Sequence, residues 1–422
     1  MRHYCEGFYA AAYFYLIISG PQDNTFLSKN KNSKNKIPNI TRSSQVLDTK
    51  RFYNELEELA NIDSGSYCTA GVTRIAEWFA DGFAELGWKS VWYDLAPGKQ
   101  GKSVFVGPED LDEMDLFVIC HVDTVFPEGE AAKRPFSTGE NRIFGPGVAD
   151  MKSGCLFTLY ALEQLVAEGA DLGRIGVFFN GEHEISCPNT RKIIEEYSAK
   201  SRMVITAEPT RANGAHVKQR KGILRYTVTF EGKTAHSGNN PEDGVCAVTE
   251  MAHWILFFKS LENHDKGISA TPGMAHGGET INAVPDKAEL RVDMRVARLE
   301  DALDLEKTVG ERKPFDPRVT VTVKGGTTRP PMMPNEQTEE LCAIVEEIGK
   351  ELDLPISWAF AGGGSDGSFA SAVGKPVLCG LGPVSGKMHT KDEFINTTDL
   401  EKRFLEFKEI VRRFSNHSFK AA

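Results

Sequence analysis

The chain has 422 residues, of which 41% are hydrophobic and 26% are charged. This balance is ordinary for a folded globular protein, and it excludes a wholly disordered chain and a collagen-like repeat. The 49 Lys and Arg side chains are outnumbered by 59 Asp and Glu side chains, so the formal net charge is −10. An acidic chain lacks the positive surface typical of nucleic-acid binding, and we expect no nucleic-acid partner.

Eight cysteines are spread along the chain, and no two of them form a C-x-x-C pair. This spacing argues against a zinc ribbon and against a thioredoxin-type redox site. Most of the cysteines lie in apolar runs, such as the one that ends at Cys120, so we expect reduced thiols in the core.

The segment 1–45 differs in character from the rest of the chain. Residues 8–19 are apolar but too few to span a bilayer, which takes about 20 residues. They suit the hydrophobic part of a signal peptide, and the Lys-, Asn- and Ser-rich residues 28–43 are typical of a disordered linker. The alternative is an extension with no role in the fold. We expect no stable membrane span and a cytoplasmic protein, or a periplasmic or secreted one if residues 8–19 are a signal peptide.

From residue 46 the hydrophobic pattern becomes regular. Short apolar runs alternate with segments of helical spacing, which is typical of βαβ units and of a mainly parallel sheet covered on both faces. The predicted helices are 46–62, 69–87, 151–168, 188–199, 336–351, 366–373 and 397–415. The predicted strands are 115–120, 175–180, 203–207, 356–360 and 377–380.

The hydrophobic pattern changes between residues 218 and 329, where the predicted elements follow the order βαββαβ of a ferredoxin-like sandwich. The predicted strands are 222–231, 278–283, 288–295 and 318–324, and the predicted helices are 244–262 and 299–308. Residues 325–334 are typical of a linker. The sequence thus predicts an α/β domain at 46–217 and 330–422, interrupted by an inserted domain at 218–329.

Residues that bind metals or move protons follow several of the predicted strands. Sites of open α/β sheets lie at the carboxyl ends of their strands, so we expect these side chains to meet. The set contains nitrogen and oxygen donors without cysteine, which suits Zn²⁺ and, less well, Mn²⁺ or Co²⁺. Its members are His121, Asp123, Asp150, Glu182, His183, Glu184, Glu208 and His389.

Six longer motifs carry a family resemblance. They are HVDTV at 121–125, GPGVADMKSG at 145–154, AEPT at 207–210, GKTAHSG at 232–238, GGETINAVP at 277–285 and GGGSDG at 362–367. With them, nearly everything from residue 50 to residue 415 resembles the dizinc aminoacylase, glutamate carboxypeptidase and desuccinylase family of metallopeptidases, in particular its glutamate carboxypeptidase branch. The resemblance implies a zinc-exopeptidase-like mixed sheet covered by helices, with the inserted domain serving as a lid or dimerisation module.

The resemblance also implies two zinc ions per chain, for which Co²⁺ or Mn²⁺ can substitute. It implies that Asp150 bridges the two ions. His121 and Glu208 would complete one site, and Glu184 and His389 would complete the other. A carboxylate can hold two such cations, and the pair can clamp a water-derived nucleophile and a scissile carbonyl together.

Asp123 follows His121 by two residues, on the same side of an extended segment. We expect its carboxylate to accept the ring N–H of His121 and so to orient that ligand.

Position 183 departs from the family pattern, which has two adjacent glutamates there, a general base followed by a ligand. In this chain His183 occupies the position of the base and Glu184 that of the ligand. We expect the His183 imidazole to act as the proton acceptor. The alternatives are that Glu182 takes this role, or that the site turns over poorly.

The inserted domain and the glycine-rich loop supply candidates for substrate binding. By resemblance, His236 reaches the active site of a partner subunit and polarises the substrate carbonyl, so we expect a homodimer. Asn282 and Arg295 match substrate-binding positions, and Arg suits a bidentate grip on a carboxylate. Gly363 and Gly364 would offer backbone N–H groups to the same carboxylate. The alternative for Arg295 is a salt bridge with its neighbour Asp293.

Two functional hypotheses follow. The first is a zinc-dependent hydrolase, a carboxypeptidase or N-acyl amino acid amidohydrolase, that cleaves an amide or peptide bond next to a free carboxylate. Its substrate would be a small peptide or an N-acyl amino acid. The second is a metal-retaining binding protein with little or no turnover, because histidine stands at the general-base position.

Overall fold

A computed structural model describes residues 46–108 and 111–419. The segment 1–45, for which we predicted a signal-like or disordered extension, lies outside the described residues. Within the described ranges, no helix is both long and apolar enough to cross a membrane.

Helices and strands alternate through the described ranges. The helices are α1 Thr49–Ala60, α2 Thr69–Glu85, α3 Glu130–Lys133, α4 Ser153–Ala167, α5 Arg191–Ala199, α6 Ala247–Ser260, α7 Leu299–Glu311, α8 Glu336–Glu351, α9 Gly367–Ala372 and α10 Leu400–Ser415. The strands are β1 Lys89–Tyr93, β2 Ser103–Gly107, β3 Met114–His121, β4 Ser137–Gly139, β5 Arg142–Phe144, β6 Ile175–Asn180, β7 Ser201–Thr206, β8 Pro209–Thr210, β9 His216–Arg220, β10 Gly222–Glu231, β11 Ser269–Gly277, β12 Lys287–Val296, β13 Thr320–Arg329, β14 Trp358–Ala361, β15 Val377–Leu378, β16 Gly382–Gly386 and β17 Phe394–Asn396.

The largest sheet is mixed, with the strand order β1-β2-β6-β3-β7-β15. The four strands from β6 to β15 run parallel, as the sequence predicted, whereas β1 and β2 pair antiparallel at one edge. The sequence analysis missed both of these antiparallel strands. β1 is almost wholly exposed, so no buried apolar run marks it.

Strand β3 shows why both faces of this sheet are covered. Leu116 and Val118 pack into one hydrophobic cluster, whereas Phe117 and Ile119 pack into another. Alternate side chains of a strand point to opposite faces, so each cluster lies against one face of the sheet. The continuous apolar run is the expected sign of a strand buried on both sides.

The segment from β10 to β13 forms its own four-stranded antiparallel sheet, in the order β11-β12-β10-β13. With α6 and α7, its elements follow the predicted order βαββαβ. Leu224, Val228 and Phe230 pack with the helices into a separate hydrophobic cluster. Alternate residues of the same strand, such as the exposed Arg225, leave the other face polar. The division into two domains at residues 218 and 329, and a lid or dimerisation role, stay predictions.

Two predicted elements of this segment were wrong. The strand expected at 278–283 is an exposed loop, and the strand at this place is β11, which ends at Gly277. Gly278 has φ of +76°, a conformation that does not continue a strand. The β11 segment contains Pro and Gly and has little strand preference of its own. It forms a strand because it pairs with β12, with a register shift after Pro272. Residues 325–329, expected in a linker, are the end of β13.

One close approach brings the segment before α4 to the edge of the large sheet. A Cβ on Gly154, at the start of α4, would stand 1.9 Å from the carbonyl oxygen of Ala207, which follows β7. Only glycine allows this contact. The irregular turn Val148–Lys152, which precedes α4, is thereby held beside the carboxyl ends of β3 and β7.

A buried ionic network fixes α10 to the strand β9. Glu406 lies 2.7 Å from His216 Nε2 and accepts a hydrogen bond of 2.9 Å from Arg403, and all three side chains are almost fully buried. Burial alone would raise the pKa of Glu406, but the charge of His216 and the bonds to His216 and Arg403 lower it.

Replacing Glu406 by Ala should lower the free energy of unfolding by about 3–5 kcal/mol, because Arg403 would stay buried without its counter-charge. Since the pKa of Glu406 is lowered in the folded state, this contribution is present at neutral pH and is lost as the pH falls through that lowered pKa. Urea unfolding followed by circular dichroism measures both effects. The control is Glu401→Ala on the exposed side of α10, with an expected change within about 1 kcal/mol. Equal effects of the two substitutions would contradict this account.

Candidate metal centre

Three predicted ligands sit at the carboxyl ends of neighbouring strands. His121 is the last residue of β3, Glu184 follows β6, and Glu208 follows β7. Because β6, β3 and β7 are adjacent and parallel, their carboxyl ends meet at one edge of the sheet. His121 and Glu208 are buried, with 1% and 5% of their surfaces exposed, so these two side chains are shielded from solvent.

Asp150 lies between two histidines in the turn that precedes α4. Its Oδ1 is 3.0 Å from His121 Nε2, and its Oδ2 is 3.1 Å from His389 Nε2. The backbone N–H groups of Ala149 and Asp150 donate to Glu393 Oε1, which holds the turn in place. Each oxygen of one carboxylate thus faces a different nitrogen donor, as a bridging ligand requires.

The remaining carboxylates complete two overlapping groups of donors. Glu184 Oε1 lies 3.4 Å from His389 Nε2, and Glu208 Oε1 lies 3.5 Å from His183 Nε2. The donor atoms of each group lie within 4.8 Å of one another. One group is His121, Asp150 and Glu184, and the other is His121, His183 and Glu208. The five predicted ligands therefore come together, and His183 joins them.

The charges of this cluster fit a bound cation. The hydrogen bond of His389 to Asp150 and the adjacent carboxylate of Glu184 raise the pKa of His389 to about 10. Burial would lower the pKa of His121, but its hydrogen bonds to Asp123 and Asp150 outweigh burial and raise this pKa well above its ordinary value. Glu184 Oε1 is buried and has no hydrogen-bond partner in the described part of the chain. The carboxylates hold protons on the histidines, and zinc can displace those protons. Two zinc ions therefore suit the cluster.

Asp123 is fully buried and holds the loop that follows β6. Its two carboxylate oxygens accept the backbone N–H groups of His183 and Glu184, each at 3.0 Å, and Ser66 Oγ donates to it at 2.7 Å. The His121 Nδ1 atom lies 3.0 Å from the Asp123 carbonyl oxygen and 3.5 Å from its carboxylate. The ring is thus oriented mainly through the backbone of Asp123, and its side chain positions the next loop.

The side chain of His183 is oriented by its contact with Asp366. His183 Nδ1 lies 2.9 Å from Asp366 Oδ1, and the His183 ring stacks on His121 with 4.0 Å between ring centroids. The alternative base, Glu182, uses both carboxylate oxygens to accept hydrogen bonds from Asn189, and one of them also accepts from the backbone of Thr190. Glu182 therefore stabilises the turn before α5 and does not face the ligands.

The sequence analysis missed two residues that support His183. Arg329, at the end of β13, donates to Asp366 Oδ1 and to the carbonyl oxygen of His183, each at 2.5 Å. Asp366 belongs to the GGGSDG motif and could have been found there. Arg329 lies in the segment that we had assigned to a linker, where no local pattern marks it.

His236 and Asn282 lie next to each other in the βαββαβ segment, but apart from the ligands. Both are exposed, and Ser237 N donates to Asn282 O. Within the described residues, neither side chain forms a hydrogen bond to the ligand cluster. The backbone N–H groups of Gly238 and Asn239 donate to His236 Nδ1 at 3.0 and 3.1 Å. The neutral ring therefore carries its proton on Nε2 and offers a donor to solvent.

Arg295 lies beside the glycine-rich loop. It donates two hydrogen bonds to Asp293, at 2.6 and 3.1 Å, and so forms the salt bridge that was the alternative prediction for Arg295. Its Nη1 also donates to Gly362 O at 3.4 Å. The carbonyl oxygens of Gly363 and Gly364 accept hydrogen bonds from Arg220, which is itself buried. The amides of the two glycines donate to no group among the described residues.

Replacing Asp150 by Ala should remove both zinc ions, because it deletes the one carboxylate that faces both histidines. The metal content per chain, measured by mass spectrometry after dialysis, checks this. Asp112→Ala, an exposed position away from the cluster, is the matched control and should keep both ions. Retention of two zinc ions by the Asp150→Ala protein would show that this residue is no bridge.

Sequence comparison places the chain among known hydrolases. The model of peptidase family M20/M25/M40 matches residues 117–413. Carboxypeptidase G2 of Pseudomonas sp. (strain RS-16) is 30% identical over 363 residues, which cover 82% of this chain and 85% of the relative. Acetylornithine deacetylase of Erwinia tasmaniensis is 24% identical over 399 residues, which cover 90% of this chain and 95% of the relative. Neither relative supports the alternative of a metal-retaining binding protein.

Comparison with solved structures shows the same fold. The aminopeptidase PepT of Bacillus cereus superposes with a TM-score of 0.71 at 21% identity, covering 89% of this chain and all of the other. The M20 family metallo-carboxypeptidase Sso-CP2 of Sulfolobus solfataricus superposes with a TM-score of 0.67 at 16% identity, covering 87% of this chain and 99% of the other. Together with the zinc-ligand cluster, these matches confirm the resemblance seen in the motifs: the chain belongs to peptidase family M20/M25/M40 and is a metallopeptidase-family enzyme that hydrolyses peptide or acyl–amino acid bonds.

Proposed function

We propose that the enzyme cleaves an amide or peptide bond next to a free carboxylate, in a small peptide or an N-acyl amino acid. The observation that carries this proposal is the continuity between the glycine-rich loop and the metal centre. Gly363 and Gly364 are followed directly by Ser365 and Asp366, and Asp366 contacts His183. A carboxylate bound at the loop would therefore lie only a few residues along the chain from the ligand cluster.

The loop is oriented to receive an anion. Arg220 holds the carbonyl oxygen of Gly363, and in a trans peptide the N–H of the next residue points the opposite way. The amide of Gly364 thus faces away from Arg220, without a partner among the described residues. Arg295 lies beside the same loop, with its guanidinium oriented by Asp293. A guanidinium and free backbone amides are suited to bind a carboxylate.

The metal centre would activate the scissile carbonyl and the attacking water. Two zinc ions held by His121, Asp150, Glu184, Glu208 and His389 would polarise the scissile carbonyl and lower the pKa of water. Asp123 would keep the 183–184 loop in position. We expected His183 to accept a proton, and this stays a prediction. The lone pair of its ring nitrogen could bind a cation instead.

His236 would act in the site of a partner subunit. In the single chain it is exposed, and its Nε2–H is free to donate to a carbonyl oxygen. Asn282 lies beside it and would contact the same substrate. The proposal therefore includes a homodimer in which each metal centre is completed by the other chain.

Replacing Arg295 by Ala should lower kcat/KM for substrates with a free carboxylate by about 10- to 100-fold, because a hydrogen bond to a charged group contributes about 1.5–3 kcal/mol. Analogues whose carboxylate is converted to an amide should be cleaved equally by parent and variant. A panel of acyl and peptidyl amino acids, each paired with its amide, measures the ratio. Arg291→Ala, on the same strand and paired with Glu289, is the control. An equal loss for both members of each pair would exclude carboxylate binding by Arg295.

Mixing a His236→Ala chain with an Asp150→Ala chain should restore activity that neither has alone. In the mixed dimer, the metal centre of the first chain would receive His236 from the second. Enzyme assay of the mixture, with light scattering to confirm dimers, tests this arrangement. A mixture of Asp150→Ala and Glu208→Ala chains has both defects in the same half of the site and should stay inactive. A mixed dimer without activity would rule out action across the interface.

A further inference from the structure

His183 is held by a charged network that fixes the position of its proton. Asp366 accepts hydrogen bonds from Arg329 at 2.5 Å, from Asn180 at 2.7 Å and from Cys187 at 3.1 Å. Arg329 is almost fully buried, so its guanidinium needs the Asp366 carboxylate as an ionised counter-charge. An ionised carboxylate only accepts hydrogen bonds, so His183 Nδ1 must donate at 2.9 Å. In the neutral ring, the lone pair is then on Nε2.

This lone pair points into the ligand cluster. His183 Nε2 lies 3.5 Å from Glu208 Oε1, and the donor atoms of His121, His183 and Glu208 all lie within 4.8 Å of one another. Zinc–nitrogen bonds of about 2.0–2.1 Å place the ligand atoms of a tetrahedral ion roughly 3.3 Å apart. The spacing from His183 to Glu208 is thus close to that of two atoms that share one ion.

The surroundings of the ring are those of a metal ligand. A histidine that binds a metal through one nitrogen usually donates the other N–H to a carboxylate, which fixes the ring orientation. Asp366 provides that carboxylate. His183 and His121 stack with an angle of 5° between their planes, which two rings bound to a metal as neutral imidazoles would do without charge repulsion.

We infer that His183 binds the ion held by His121, Asp150 and Glu208, as a fourth protein ligand through Nε2. The other ion, held by Asp150, Glu184 and His389, would keep three. A zinc ion with four protein ligands is typical of a structural site, whereas one with three keeps a position open for catalysis. The two ions are then unequal, and the open one lies beside His389, whose side chain is 53% exposed.

This assignment replaces the proton-acceptor role that the sequence predicts for His183, because one lone pair cannot bind zinc and accept a proton at the same time. It rests on the five-ligand assignment of the proposed function, but not on the proposed substrate. It also explains how histidine can stand where the family has a glutamate without exposing an unpaired base beside two cations.

The test measures metal binding by the full-length apoprotein, without any substrate. Zn²⁺ is titrated in competition with a chromophoric chelator to give two dissociation constants. His183→Gln should weaken one of the two by at least about 10-fold, and Asp366→Asn should weaken the same one, since loss of a supporting carboxylate usually costs about 10–100-fold in affinity. His276→Gln, an exposed histidine on β11, is the matched control and should change neither constant.

The visible absorption of the Co²⁺-loaded protein gives a second measurement. We expect the intense band of four-coordinate cobalt from the first ion bound, and its loss in His183→Gln. Unchanged constants in His183→Gln, an equal weakening of both ions, or the absence of a four-coordinate band in the parent would each overturn the assignment. Because no substrate enters the test, a failure of the proposed hydrolysis would leave these results unaffected and would be seen separately.

Discussion

The structure depends on the burial of negative charge at one edge of a sheet. Asp150, Glu184 and Glu208 are brought together by strand ends and by a tight turn, where water cannot solvate them fully. Isolated carboxylates in such a place are unfavourable, so the cluster needs positive charge. His121 and His389, whose pKa values are raised, supply it as protons when no metal is present, and divalent cations supply it more effectively. Burying these carboxylates without positive charge is unfavourable. For the same reason, the cluster is a strong metal site.

Residues outside the ligand set hold this cluster in place. Asp123 fixes the loop that bears Glu184, Glu393 fixes the turn that bears Asp150, and Gly154 allows that turn to approach the sheet. These contacts are mostly hydrogen bonds from backbone N–H groups, so they position a loop through its main chain. The ligands can therefore be held rigidly although they come from distant parts of the sequence.

The sequence predicted the parallel strands, the meeting of polar side chains at their ends and the βαββαβ order, because each has a local sign: a buried apolar run, a polar residue directly after a strand, or an alternating pattern. It did not reveal β1, which is exposed, or the bounds of β11, which are set by pairing with β12. Nor could it show that Arg329 and Asp366 meet at His183, since this contact joins residues 37 positions apart through tertiary packing alone. Side chains that support a site are recognised by what they touch, and a single sequence does not contain that information.

The βαββαβ segment is attached to the rest of the chain by two crossings, and both are anchored by buried arginines. Arg220, just before β10, is bonded to the glycine-rich loop, and Arg329, at the end of β13, is bonded to Asp366. The backbones of Arg220 and Met332 are also bonded to each other. A swing of the four-stranded sheet therefore cannot pivot at these arginines without breaking several buried hydrogen bonds. Both connections of the four-stranded sheet are therefore held in place beside His183 and the glycine-rich loop.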